Sequence, residues 1–335
     1  MFAVRRSTLA PAAAALALGI AALGTAPGLE ARELRISHQF SEGDARHELA
    51  VEFAKAVEAK TNGELTFKIF PSSALFKAAA QYDAMAKGAL DFSVFPLAYA
   101  SGKVPELDIT LMPCIIRSVE EGMAWRNKAI GKRVEEISEA KGMKILTWLW
   151  YAGGIGSRGK PVILPADVKG LKFRAAGKLF EHMLHQSGAS ITSMPSSEIY
   201  MALQTKVLDA CLTSAESFAS FRLYEQLEYL NAPEAYSIWY MAEPIVISTT
   251  TWKSLTPSQQ KAVEEVGLAL EKRATEIALA ANVEVVKVFE EKGVKVHKMT
   301  KDEWEAWEKL AQETAWKQFA ETVPGGKELL DLAKQ

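Results

Sequence analysis

The run Gly154-Ile155-Gly156-Ser157-Arg158-Gly159 has the glycine spacing that cradles a dinucleotide pyrophosphate, and it follows an apolar stretch. That chemistry needs a helix to open at the motif, because the helix N-terminus holds the phosphates. Lys160-Pro161-Val162-Ile163-Leu164-Pro165 comes next instead, and two prolines so close together forbid a regular helix. The motif therefore argues against a nucleotide site. His182 and His185 are three apart on an expected helix and could share a face for a metal. No nearby set of acids and histidines completes such a site, so they read as a solvated helix face. Cys114 and Cys211 could pair in an oxidising compartment. Both lie in apolar runs, the usual setting of buried free thiols, and two cysteines make no disulfide framework. No serine stands in a nucleophile-elbow pattern, and neither cysteine has a histidine partner marked by spacing. The sequence calls for no cofactor, no metal and no catalytic machine.

The elements that would position any site read as an open α/β sheet. Glu33–Ser37 alternates like a half-buried strand, and His47–Lys60 has Leu49, Phe53 and Val57 on one helical face. Gly63 stops that helix, the strand Leu65–Phe70 follows, then a helix near Gln81–Lys87 and the strand Leu90–Phe95. Val119–Lys141 reads as one or two helices and Lys144–Trp150 as a strand, with Tyr151-Ala152-Gly153-Gly154 as the loop at its end. Leu171–Arg174, Val207–Leu212 and Ile238–Ser248 read as further strands, and Leu179–Ser187 and Ser197–Gln204 as helices. Apolar periodicity then runs from Ala262 to Phe289, longer than an ordinary helix and without a heptad. A helix spanning two domains fits that length.

Arg5 and Arg6, an uncharged Ala/Leu-rich stretch over residues 9–24, and small residues up to Ala31 have the layout of a cleavable secretory signal. The stretch is shorter than a membrane span and is broken by Pro11. The export route reads as Sec, or as twin-arginine from the Arg5-Arg6 pair. No cysteine near the signal offers a lipid anchor. Loss of residues 1–31 removes two arginines and Glu30, moving the formal charge from −2 to −3. The remaining charges are interspersed, and nothing in them suggests a nucleic-acid or membrane-surface partner. The remaining chain is long enough for two domains with their own cores.

Gly170-Leu171-Lys172-Phe173-Arg174, followed by Met194–Ala210 with its run Ser197-Glu198-Ile199-Tyr200-Met201-Ala202-Leu203-Gln204-Thr205, resembles the substrate-binding proteins of TRAP transporters, of the DctP type. Lys60-Thr61-Asn62-Gly63 and Gly88-Ala89-Leu90-Asp91-Phe92 extend the resemblance in the same order to the start of the mature chain. The resemblance implies an α/β, two-lobe periplasmic binding protein fold with hinge-crossing strands and a long helix spanning both lobes, closing around a hinge. Lobe I would comprise residues 32–148 and 238–275, and lobe II residues 149–237 and 276–335. It implies a periplasmic, monomeric receptor for a small organic carboxylate, a hydroxy, keto or aromatic monocarboxylate or a C4-dicarboxylate. The receptor would hand that ligand to the small and large TRAP membrane subunits.

In that family the arginine matched by Arg174 pairs with the ligand carboxylate, which suits the two-donor fork of a guanidinium. Some members place a second arginine in the loop where this chain has Tyr151-Ala152-Gly153-Gly154. Where sialic-acid binders carry an acidic residue this chain has Pro96, with Tyr99 close by, and where an asparagine is common it has Thr213, next to Ser214. Trp150, Tyr151, Trp239 and Tyr99 would supply aromatic walls, and Gln39 is counted with the ligand-facing residues. A sensor feeding a two-component system is an alternative partner for the same fold. A secreted enzyme acting on an organic acid is a second alternative, with Ser196, Ser214 and Glu243 as its nearest candidate groups.

Overall fold

Asp44 starts the first helix, Ala45–Lys60, because its carboxylate accepts the Arg46 N–H and leaves Leu49, Ala50, Phe53 and Val57 to form one buried face. The helix ends where Asn62 and Gly63 take positive φ angles of 50° and 78°, a turn that glycine enters without strain. The computed structural model describes residues 31–335, together with Phe2 and Ala3. The expected signal, residues 1–31, lies outside the described residues apart from those three.

Twelve strands form two sheets among the described residues. They are β1 (Arg32–Ser37), β2 (Leu65–Phe70), β3 (Phe92–Val94), β4 (Met143–Thr147), β5 (Trp150–Ser157) and β6 (Lys172–Ala175). The rest are β7 (Ser190–Ser193), β8 (Ala210–Ser214), β9 (Tyr229–Ala232), β10 (Trp239–Ala242), β11 (Ile245–Ser248) and β12 (Lys295–Lys298). The first sheet has the order β2-β1-β3-β11-β4, and the second β12-β9-β5-β8-β6-β7 with β10 beside β5. β1, β2 and β3 run parallel, with Phe53, Phe67 and Phe92 meeting edge-on or tilted beneath them.

Two expected strands are each two. Lys144–Trp150 divides at Trp148–Leu149, so β4 stays in the first sheet while β5 enters the second. Ile238–Ser248 divides at Glu243–Pro244, so β10 belongs to the second sheet and β11 to the first. The two crossings touch, with the Glu243 N–H donating to the Leu149 carbonyl at 2.8 Å. The expected loop at Tyr151–Gly154 is instead the start of β5, which pairs with β8, β9 and β10. The glycines are needed there for close approach: a Cβ on Gly154 would lie 2.5 Å from the Asn231 carbonyl oxygen. The pyrophosphate-like motif thus sits in a strand and its exit, and no helix opens at it.

The long late helix has a break. Pro257–Ala269 packs on β4 and the first helix, and Glu271–Glu291 packs on β5, β12 and the helix Ala215–Ser220, with Leu270 between them. The break lies against the crossing, where Glu271 accepts the Trp148 N–H at 2.9 Å. No described helix is long and apolar enough to cross a membrane.

Candidate functional site

β6 lies between β7 and β8, and carries Arg174 opposite Cys211. Arg174 is 1% exposed. Its Nε donates to the Met194 carbonyl at 3.0 Å, Nη1 to the Leu212 carbonyl, and Nη2 to the Tyr99 hydroxyl oxygen at 3.2 Å. All three acceptors are neutral. No described carboxylate comes within ion-pair distance of this guanidinium.

Tyr99 reaches it from the other sheet. The short turn Leu97–Ala100 follows β3, opened by Pro96, whose carbonyl accepts the Tyr99 N–H at 2.9 Å. The Tyr99 oxygen also accepts the Ser196 N–H at 3.0 Å and the Gln39 amide at 3.4 Å, and Gln39 accepts the Ser197 hydroxyl at 3.4 Å. The structure therefore brings Arg174, Tyr99 and Gln39 together across the two sheets. It adds the Ser196 N–H, where the sequence had offered only the Ser196 side chain as a candidate group of an enzyme, and the Ser197 hydroxyl, which sequence reasoning did not place there. Residue spacing gives no signal for either, since both follow from how the turn after β7 meets β1. By the alternation of β8, Thr213 shares the side of Cys211 and Arg174.

The other expected residues lie elsewhere. Ser214 faces the opposite side of β8 from Thr213, caps the helix Ala215–Ser220, and accepts from Arg46 at 3.3 Å. Tyr151 has its ring centroid 5.3 Å from the Arg46 guanidinium carbon. Trp239 faces Gly153, and a Cβ on Gly153 would meet its ring at 2.4 Å. Trp150 packs against Gly122, edge-on to Trp125 and stacked on Trp148, as a core residue would. Cys114 and Cys211 are both free and buried. Among the described residues no cluster of acids, histidines and cysteines suits a metal ion.

A second buried guanidinium went unread in the sequence. Arg46 is fully buried and bidentate to Asp44, at 2.8 and 2.7 Å, and pairs with Glu243 at 2.8 Å. It also donates to Ser217 at 3.0 Å, and the Phe40 ring lies 3.7 Å away. Burial works against the charge of Arg46, but Asp44 and Glu243 keep it protonated. Burial would raise Asp44, yet the Arg46 guanidinium holds its carboxyl below the usual range. Burial pushes Glu243 up, with Arg46 and then Arg174 pulling it back. The available sequence signal was Glu243, the only charge in Ile238–Ser248. Beside this group His38 Nε2 lies 3.2 Å from His47 Nδ1, and burial, reinforced by His47, holds His38 down at about 4. The arrangement offers one cation, Arg46, ion-paired to two carboxylates, and a second, Arg174, hydrogen-bonded only to neutral acceptors, with Glu243 acting on it from beyond ion-pair distance.

A family model for bacterial extracellular solute-binding proteins, family 7 (DctP), matches residues 36–322. A solute-binding protein of Albidiferax ferrireducens is 40% identical over 307 residues, 90% of this chain and 91% of its own. The 2,3-diketo-L-gulonate-binding periplasmic protein YiaO of Escherichia coli K12 is 27% identical over 323 residues, 93% of this chain and 94% of its own. Among solved structures, a TRAP periplasmic solute-binding protein from Rhodoferax ferrireducens with bound malonate superposes with a TM-score of 0.88. It is 40% identical, with 90% of this chain and 97% of that chain covered.

Proposed function

The chain belongs to the DctP family of bacterial extracellular solute-binding proteins, and we propose that it captures a small organic carboxylate on Arg174. It then delivers the ligand to the membrane subunits of a TRAP transporter. The observation that carries the reading is the contrast between the two buried arginines: two carboxylates answer Arg46, and only neutral acceptors meet Arg174. A desolvated charge without a counter-ion costs several kcal/mol, which an ionised carboxylate offsets through the two-donor fork. The ligands named for the two relatives, malonate and 2,3-diketo-L-gulonate, both carry that group.

The lobes correspond to the two sheets, with the touching crossings at Trp148–Leu149 and Glu243–Pro244 as hinge, and Tyr99 and Gln39 on the lobe opposite Arg174. Residues 1–31 direct export to the periplasm and are removed. A thermal-shift screen of the purified protein against small organic acids and neutral controls tests the reading. A carboxylate at a hundredfold excess over its Kd adds about 2.7 kcal/mol to stability, several degrees in Tm. Shifts from neutral compounds alone would refute Arg174 as the anchor.

A further inference from the structure

Three donors converge on the phenol oxygen of Tyr99: Arg174 Nη2 at 3.2 Å, the Ser196 N–H at 3.0 Å and the Gln39 amide at 3.4 Å. A cationic donor, a main-chain N–H and an amide aimed at one point are the set that holds a carboxylate oxygen. A phenol oxygen matches them poorly, being neutral and having at most two lone pairs to offer. It nevertheless keeps the Arg174 guanidinium hydrogen-bonded on that side. Tyr99 also has somewhere to go. Tyr99 itself borders a cavity of about 280 Å³, lined by small residues such as Ala98, Gly102 and Gly177 together with Lys178, Glu181 and Met194.

We infer that Tyr99 competes with the ligand: an incoming carboxylate takes over the donors of Arg174, Ser196 and Gln39, and the phenol swings aside into this cavity. The inference rests on the reading of Arg174 as ligand anchor. Tyr99 then acts as a tethered acceptor that lowers apparent affinity, because part of the ligand's binding free energy is spent displacing it. Its sequence neighbours supply the pivot, since the turn Leu97–Ala100 is anchored by the Pro96 carbonyl and the ring meets Phe95 edge-on at 6.4 Å.

Stopped-flow and equilibrium binding of malonate to the wild-type protein and Tyr99→Phe test this. Phenylalanine keeps the ring and its contact with Phe95 and removes only the oxygen. Tyr99→Phe is expected to bind malonate about 3–10-fold tighter. Its observed rate should rise linearly with malonate, whereas the wild-type rate levels off at the rate of phenol departure. Weaker binding by Tyr99→Phe would overturn the inference, because the phenol would then be a donor to the ligand. Unchanged affinity with unchanged kinetics would overturn it equally. Arg174→Ala separates the two readings. If it leaves wild-type malonate binding intact, the anchor itself is wrong; if it abolishes binding while Tyr99→Phe weakens it, only the competition fails.

Discussion

Arg46 and Arg174 are buried to the same degree, and their difference lies in what surrounds them. Asp44 and Glu243 are both buried, so removing Arg46 leaves two carboxylates without a cation. Arg46→Met should destabilise the protein by about 3–5 kcal/mol in urea unfolding. The triple change Arg46→Met, Asp44→Asn, Glu243→Gln should recover most of that loss, because it removes the whole charged group rather than one partner. A single substitution as mild as the triple one would mean that the group is solvated. At this scale the sequence was legible where a motif carried the residue: Arg174 stands in Gly-Leu-Lys-Phe-Arg and is buried where the two sheets meet, hydrogen-bonded to Tyr99. Arg46 was illegible because a charge in the first turn of an amphipathic helix ordinarily faces water. The groups that bury it are brought there by the fold, with Phe40 from just after the first strand and Tyr151, Ser217 and Glu243 from far along the chain.

Secondary structure followed periodicity until periodicity stopped carrying information. The β1-helix-β2-helix-β3 opening was readable because alternation and helical spacing were separated by turn residues. β5 was not, because Gly153, Gly154 and Gly156 have low strand propensity and no side chain to alternate. Their presence is a packing demand, which only the neighbouring strands reveal. Gly154→Ala should cost about 1–3 kcal/mol by forcing β5 away from Asn231. Gly102→Ala, where an added Cβ meets nothing within 4 Å, should stay within about 0.5 kcal/mol. Differential scanning calorimetry of the two variants distinguishes them, and equal Tm values would show β5 tolerant. The divisions of Lys144–Trp150 and Ile238–Ser248 were hidden for a different reason. An apolar run buried in one sheet passes directly into a run buried in the other, so hydrophobicity does not change at the crossing.

Contacts between the sheets were beyond any local signal, since Tyr99 and Arg174 are 75 residues apart. Two titrating groups lie at this junction. Burial pushes Asp108 up to about 7, with Glu181 adding to the push, and the carboxylate stands 3.3 Å from where a Cβ on Gly177 would be. His38, at the end of β1, is held at about 4. A folded-state His38 that resists protonation makes stability fall as pH drops from 6.5 to about 4. A folded-state Asp108 that retains its proton makes stability fall as pH rises from 3.8 to about 7. The two oppose each other over the shared window, so the wild-type profile between about pH 4 and 6.5 should be shallow in these two groups' contribution. Asp108→Asn should leave stability rising with pH, and His38→Gln should leave it falling, each by at most about 3–4 kcal/mol. Chemical denaturation across that range reads the slopes, and matching slopes in both variants would refute the assignment.

The most direct test of the central claim is isothermal titration of the small carboxylate that gives the largest thermal shift, with glycerol as the neutral control, into the wild-type protein and Arg174→Ala. The account predicts a 1:1 complex with that carboxylate in the wild type and no heat from glycerol. It predicts an affinity loss of at least about 100-fold in the variant, the scale of a buried charged hydrogen bond left without its partner. Equal affinity in the two proteins would contradict it.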